Sequence, residues 1–166
     1  NLPAGCVFRR QDLFDNRHPN YAGDVGLAIN PKLAARVKEA DVVLAVGPRL
    51  GEMSTSGYTL FDVPRPKQTL IHVHAGAEEL GRVYQADLMI HASMPAIAEA
   101  LDGVSPDAAP RWSAWTEAAH ADYLANIAPP PFNGRGIDMA RAMQWLRERL
   151  PHNSILTNGA GNYATW

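Results

Sequence analysis

Three observations predict an α/β fold: a Rossmann-like open parallel sheet flanked by helices, with a partial second α/β unit. Residues 42–46, Val-Val-Leu-Ala-Val, are a short apolar run without alternation and rich in β-branched side chains. Such a run suits a parallel strand buried on both faces. It stops at Gly47-Pro48, where the chain must turn and where a backbone can approach a ligand. A helix-like stretch at 31–40 precedes it, and a second strand-like run at 69–74 follows it. That order is the grammar of a βαβ sheet, and it places residues 47–51 beyond the carboxyl ends of the strands, where such sheets bind ligands.

Taken in order, residues 2–8 read as a first strand whose apolar part is Cys6, Val7 and Phe8. Cys6 reads as a small buried hydrophobe. Residues 9–26 are polar and loop-like, with His18-Pro19, Gly23 and Gly26, a connection long enough to be functional. Asn30-Pro31 starts a helix, with Asn30 as cap and Leu33, Ala34 and Val37 on its apolar face. Residues 50–66 form another long connection, in which Ser54-Thr55-Ser56-Gly57 reads as an ordinary turn before it reads as a phosphate site.

In the strand at 69–74, His72 and His74 share a face and read as satisfied histidines, because no third ligand has metal-site spacing. A short helix is expected at 78–84, a strand at 88–91, and a helix at 94–101 with Ile97 and Leu101 inward. A Pro, Ser, Asp and Ala-rich linker follows from 103. The helix at 112–127 carries a docking stripe of Trp112, Trp115, Ala119 and Tyr123. Pro129, Pro130 and Pro131 make a stiff spacer. Residues 138–150 form an amphipathic helix with Met139, Ala142, Met143, Leu146 and Leu150 on one side, ended by Pro151. A strand is expected at 154–157, leading into the glycine turn Asn158-Gly159-Ala160-Gly161-Asn162. The expected domains are therefore 1–103, a linker and helix at 104–135, and a second unit beginning at 136.

The 166 residues are 46% apolar with a net charge of −2, so a packed core is expected and nothing favours nucleic acid or an anionic membrane surface. One cysteine excludes a disulfide framework and points to a reducing compartment, the cytoplasm. No stretch approaches the ~20 apolar residues of a membrane span. The chain opens on Asn1 rather than Met and closes on Trp166 just past an expected strand, so a fragment of a longer polypeptide is expected.

Two turns are placed for phosphate chemistry. Gly159-Ala160-Gly161-Asn162 follows a strand, and glycines there let backbone N–H groups come close to an anion. Gly47-Pro48-Arg49-Leu50-Gly51 lacks the spacing of a dinucleotide fingerprint, although Arg49 is suited to a phosphate. No nucleophilic triad, paired carboxylate or Cys/His set is present in the pattern.

Several stretches taken together resemble one family. Phe8-Arg9-Arg10-Gln11-Asp12, followed by His18-Pro19-Asn20-Tyr21-Ala22-Gly23-Asp24-Val25-Gly26, resembles the start of the middle domain of thiamine diphosphate-dependent enzymes of the acetolactate synthase type. Ala40-Asp41 and the strand through Gly47-Pro48-Arg49 are similar to that family's "AD-hydrophobic-GxR" strand. Glu79-Leu80-Gly81-Arg82 with Gln85-Ala86-Asp87 resembles the element after the next strand. Thr157 to Asn162, with Trp166, resembles the opening of the family's diphosphate-binding domain.

The resemblance implies a 2-keto acid decarboxylase or carboligase using thiamine diphosphate and Mg2+, a homodimer or homotetramer when intact. It implies diphosphate contacts at Gly159, Gly161, Asn162 and Tyr163, where the family's usual Gln-His pair reads Asn162-Tyr163. The activating glutamate and the Gly-Asp-Gly…Asn-Asn metal motif lie in domains outside these residues, so the isolated chain is expected to be inactive, with no catalytic residue and no metal ligand of its own. Some members bind FAD in the middle domain. Here the acids expected after the third strand read His74-Ala75-Gly76, and those after "GxR" read Gly51-Glu52-Met53, so FAD is disfavoured. Gly47 and Arg49 are the positions for a nucleotide. The competing readings are a non-catalytic adenine-nucleotide module built on residues 47–57 and a purely structural spacer.

Overall fold

Five short strands, each parallel to its neighbours, occupy the first part of the chain in the computed structural model, which describes residues 2–105, 108–157, 159 and 161. β1 (Ala4–Val7) pairs with β2 (Tyr21–Val25), setting Cys6 opposite Asp24. β3 (Val42–Val46), β4 (Thr69–His74) and β5 (Leu88–His91) make a second sheet in that order. The parallel α/β class is as the sequence predicts. β2 is a correction, because it falls inside the stretch expected to be a loop. Tyr-Ala-Gly-Asp-Val has a glycine and an aspartate at its centre and a weak intrinsic strand preference. Tertiary burial overrides it: Tyr21 and Ala22 are both buried.

α1 (Pro31–Glu39) begins as expected, with the Asn30 side chain accepting a hydrogen bond from the Lys32 backbone N–H at 3.0 Å. Its Leu33 is buried beside Ala22, while Ala34 and Val37 pack against Ala45, Leu70 and their neighbours. One helix thus serves both sheets.

β3 is buried on one face only. Val43 and Ala45 point into a core of Leu50, Leu60, Phe61, Leu70 and Tyr84. On the other face Val42, Leu44 and Val46 are 55%, 43% and 41% exposed, against the expectation of burial on both sides. Topology explains the difference. The path β3 to β4 to β5 crosses the sheet in one direction, and right-handed connections then lie on the same face. Those connections also hold no α-helix, only 3-10 turns at Glu52–Ser54 and Ala77–Glu79. The helix expected at 78–84 is reduced to the second of these, and the chain leaves it through Gly81 at φ +74°.

α2 (Met94–Asp102) is capped by Ser93, whose Oγ accepts from the Ala96 N–H at 3.4 Å. Ile97 is half-buried, but Leu101 is 45% exposed rather than inward. Periodicity aligns side chains along a helix; it does not say how far the surface opposite extends. α3 (Ser113–Asn126) packs on β2 and α1 through Thr116, Ala119 and Tyr123, with Trp115 half-buried beside Arg36. Trp112, expected in the stripe, is 43% exposed and stands one turn outside it.

Four interactions lock α3 in place. Asp122 accepts from Lys32 Nζ at 2.7 Å and from Arg36 Nη2 at 2.6 Å, while Asn30 donates to the Asp122 carbonyl. His120 Nδ1 donates to the Tyr21 carbonyl at 2.8 Å. The close approach depends on Gly23, at φ +120°, where a Cβ would stand 3.4 Å from Leu33 Cδ2 and 3.6 Å from Tyr123 Cδ2.

The chain divides into two compact units, Asn1–Asn126 and Ile127–Trp166. In the second, α4 (Met139–Arg149) starts at Asp138, whose carboxylate accepts from the Arg141 N–H at 3.1 Å. Its Arg149 guanidinium lies 4.4 Å from the Trp145 ring centre. No described residue of this unit is buried. The strand expected at 154–157 is not formed, and Ile155 and Leu156 are 88% and 69% exposed. A strand is completed by a neighbour that takes its N–H and C=O groups. This unit holds none among its described residues.

Candidate functional site

The carboxyl ends of β3, β4 and β5 lie side by side, and the groups around them come from three turns. The first is Gly47-Pro48-Arg49. Gly47 extends the β3 ladder, its N–H donating to the Val73 carbonyl at 2.8 Å, and then turns with φ +86°. A Cβ there would meet Met94 Sδ at 3.0 Å, so both backbone angle and space favour glycine. His72, on β4, donates from Nε2 to the Pro48 carbonyl at 2.8 Å and holds the turn against the sheet. The ring is buried. Burial is the main force pushing its pKa below the usual imidazole value; the Pro48 bond opposes this, His74 adds to it and Glu79 opposes it.

The second and third turns follow β4 and β5. His74 Nδ1 accepts from the Gly76 N–H at 2.9 Å, and His91, its register partner, donates from Nε2 to the Ala75 carbonyl at 2.9 Å. Both rings are thus used to shape the 75–76 turn. Beyond it the buried carboxylate of Glu79 receives Arg82 Nη1 at 3.1 Å and faces Arg49 Nε at 3.7 Å. The two arginine side chains are 76% and 65% exposed, so two guanidinium ions at the sheet's mouth share a single carboxylate. The fork geometry of the two exposed arginines suits an anion, while the Glu78 carboxylate, which lies against Gly76, adds a second negative charge to the same turns.

Gly47 and Arg49 therefore stand together at this mouth, as the sequence placed them. The Ser54–Gly57 turn is spent locally: Thr55 Oγ1 donates to the Gly51 carbonyl at 2.9 Å and accepts from the Tyr58 N–H, and Ser54 Oγ donates to the same carbonyl. His72 and His74 are satisfied, and no group of three or more potential metal ligands occurs among the described residues. Gly159 and Gly161 are exposed, and no helix opens at them among the described residues. Asn162 and Tyr163 lie outside the described residues. Sequence reasoning missed the Glu79–Arg82 pair as part of the mouth; its i,i+3 spacing was the available signal.

The chain belongs to the thiamine pyrophosphate enzyme family, whose central-domain model matches residues 1–101. Among characterised relatives, the sulfoacetaldehyde acetyltransferase of Alcaligenes xylosoxydans xylosoxydans is 29% identical over 123 residues, covering 74% of this chain and 20% of that protein. The acetolactate synthase isozyme 2 large subunit of Escherichia coli (strain K12) is 22% identical over 165 residues, covering 99% of this chain and 29% of that protein. A second sulfoacetaldehyde acetyltransferase, from Roseovarius nubinhibens (strain ATCC BAA-591 / DSM 15170 / ISM), is 26% identical over 184 aligned positions, covering 98% of this chain and 30% of that protein. The chain spans between a fifth and a third of the length of these relatives. Among the described residues, no helix is long and apolar enough to cross a membrane.

Proposed function

We propose that these residues are the middle of a thiamine diphosphate-dependent enzyme of the acetolactate synthase type that decarboxylates or ligates a 2-keto acid. In this reading 1–103 is the middle domain, 104–135 the linker and interdomain helix, and 136–166 the start of the diphosphate-binding domain. The observation that carries it is the alignment with the acetolactate synthase subunit, which runs past the central-domain match at 1–101 over 99% of the chain. When bound, the cofactor supplies a stabilised carbanion. The residues present supply a scaffold, with Gly159, Gly161, Asn162 and Tyr163 as the contacts toward its phosphates. Magnesium, a cytoplasmic location and a homodimer or homotetramer belong to the same proposal.

The test is turnover of pyruvate with thiamine diphosphate and Mg2+. The full reading frame is expected to be active and the 166 residues alone inactive. Turnover by the 166 residues overturns the assignment of an inactive fragment. A parallel assay with sulfoacetaldehyde decides the substrate, since two of the relatives bear that substrate in their names.

A second reading rests on Arg49 and Arg82 over Glu79. Their exposed guanidinium forks support an adenine nucleotide at Gly47 and Arg49 in a non-catalytic role. FAD remains disfavoured, because the turn that would offer carboxylates to a ribose presents His74 and Gly76 bonded to each other. Thermal unfolding with FAD, ADP and coenzyme A separates the readings: stabilisation by one of them favours nucleotide binding, and no shift favours the scaffold.

A further inference from the structure

We infer that His74 is a proton-operated switch on the turn that carries Glu79 to the mouth of the sheet. His72, His74 and His91 converge on these turns, and they are not used alike. His72 donates to the Pro48 carbonyl and His91 to the Ala75 carbonyl. A ring nitrogen that donates goes on donating when the imidazole takes a second proton, so both bonds survive acid. His74 is the exception. Its Nδ1 accepts from the Gly76 N–H at 2.9 Å, which an imidazolium cannot do. The same Nδ1 stands 3.1 Å from the Gly76 carbonyl oxygen. The neutral ring therefore holds the amide of Gly76, and the charged ring must release it and turn to the carbonyl.

That carbonyl already has a role. It accepts from the Glu79 N–H at 3.2 Å, the bond that closes the 3-10 turn Ala77–Glu79. Such a length is at the long end of the N–H to O range, and a charged donor is the stronger competitor. Protonation thus strips the Gly76 N–H of its acceptor and loosens the bond that positions Glu79, the buried carboxylate that Arg82 meets at 3.1 Å and Arg49 at 3.7 Å.

The charges around the ring come from each neighbouring element. On β4 itself the His72 ring centre lies 6.1 Å away, and burial opposes its charging. On β5 the register partner is His91. The turn after β4 brings Glu78, whose carboxylate lies against Gly76, and Glu79 with Arg82. The turn after β3 brings Arg49. α2, which reaches Gly47 through Met94, has no charged residue in its first turn. His74 is only half-buried, so a proton reaches it from solvent without unfolding of the sheet.

An NMR titration of the isotope-labelled chain between about pH 8 and pH 5 tests the switch. The Gly76 and Glu79 amide resonances are expected to move together, with the midpoint of the His74 ring. In His74→Asn a side-chain oxygen replaces Nδ1 as a fixed acceptor, as in an Asx turn, and the Gly76 movement is expected to fall about tenfold. In His91→Gln, which keeps a donor for the Ala75 carbonyl, the movement is expected to persist. A Gly76 titration that survives His74→Asn, or that vanishes in His91→Gln, overturns the inference. So does a Gly76 amide that moves while Glu79 stays still, because the proton's effect then ends at one peptide. If His74→Asn fails to fold, as judged by circular dichroism, the midpoints in the unaltered chain and in His91→Gln decide: a Gly76 midpoint that differs from that of the His74 ring overturns the switch.

Discussion

The two units of this chain are built with similar local signals and reach opposite outcomes. Among the described residues of Asn1–Asn126 twelve apolar residues are buried, from Cys6 to Ala119, and every α-helix but α2 contributes at least one buried side chain. In Ile127–Trp166 the helix is also capped and amphipathic, though less strongly amphipathic than α1, yet no described residue is buried. Asp138 caps α4 as Asn30 caps α1, and Ala142, Met143 and Leu146 line one side as Leu33, Ala34 and Val37 do. Capping and periodicity are therefore properties of a segment, while burial is a property of what meets it.

The largest test of that contrast is a matched pair of truncations. Leu70→Ala, in the centre of β4, is expected to cost about 2–5 kcal/mol in denaturant unfolding, because Leu70 is fully buried. Leu146→Ala in α4, which is only half-buried, is expected to cost less than about 1 kcal/mol. Comparable losses would mean that α4 is packed in solution. Next, Asp138→Ala is expected to destabilise α4 by about 1 kcal/mol, lowering helicity while leaving the main unfolding transition of the first unit in place.

pH sharpens the comparison further, since the shifted groups all lie in the first unit. His72 has its pKa lowered by burial, so the unfolded chain takes up a proton at a higher pH than the folded one. Its contribution is complete above the ordinary value of about 6.5 and is lost as pH falls below it. His72→Gln is expected to flatten the acid side of a melting-temperature profile. Asp122 behaves like a paired carboxylate: hydrogen bonds from Lys32 and then Arg36 hold its pKa down, so its contribution is complete above about 3.9 and disappears as pH falls through the folded value. Asp122→Ala should loosen α3, read as faster amide exchange at 113–126, with a salt dependence that the variant lacks.

The smallest effect expected is a gain. Burial raises the pKa of Asp24, with the Gln11 hydrogen bond opposing it. The ionised side chain is therefore unfavourable once pH rises through the folded value. Asp24→Asn keeps an acceptor for Gln11 and should raise the melting temperature slightly at pH 7, with no gain at pH 3.

Much of this fold was legible before any coordinates. β3 and β5, the capped start of α1, the amphipathic helix α4, and the turn at Gly47 and Arg49 follow from short-range chemistry. β2 was not legible, because Gly23 and Asp24 speak against a strand and only the partners of Tyr21 and Ala22 speak for one. The strand at 154–157 failed for the converse reason: its residues suit a strand, and nothing in its unit pairs with it. At the candidate site the sequence placed Gly47 and Arg49 but not what steadies them. His72 reaches Pro48 across 24 positions, and that distance has no local pattern.

The clamp at Asp122 also sets an order of events for a growing chain. Its partners Lys32 and Arg36 lie 90 and 86 positions earlier, and the His120 bond to Tyr21 spans 99. A ribosome making about 5–20 residues each second emits α1 several seconds before α3. Throughout that interval Ala22 and Leu33 have no Ala119 to meet, and the nascent β2–α1 layer offers an uncovered apolar surface to chaperones and to neighbouring chains.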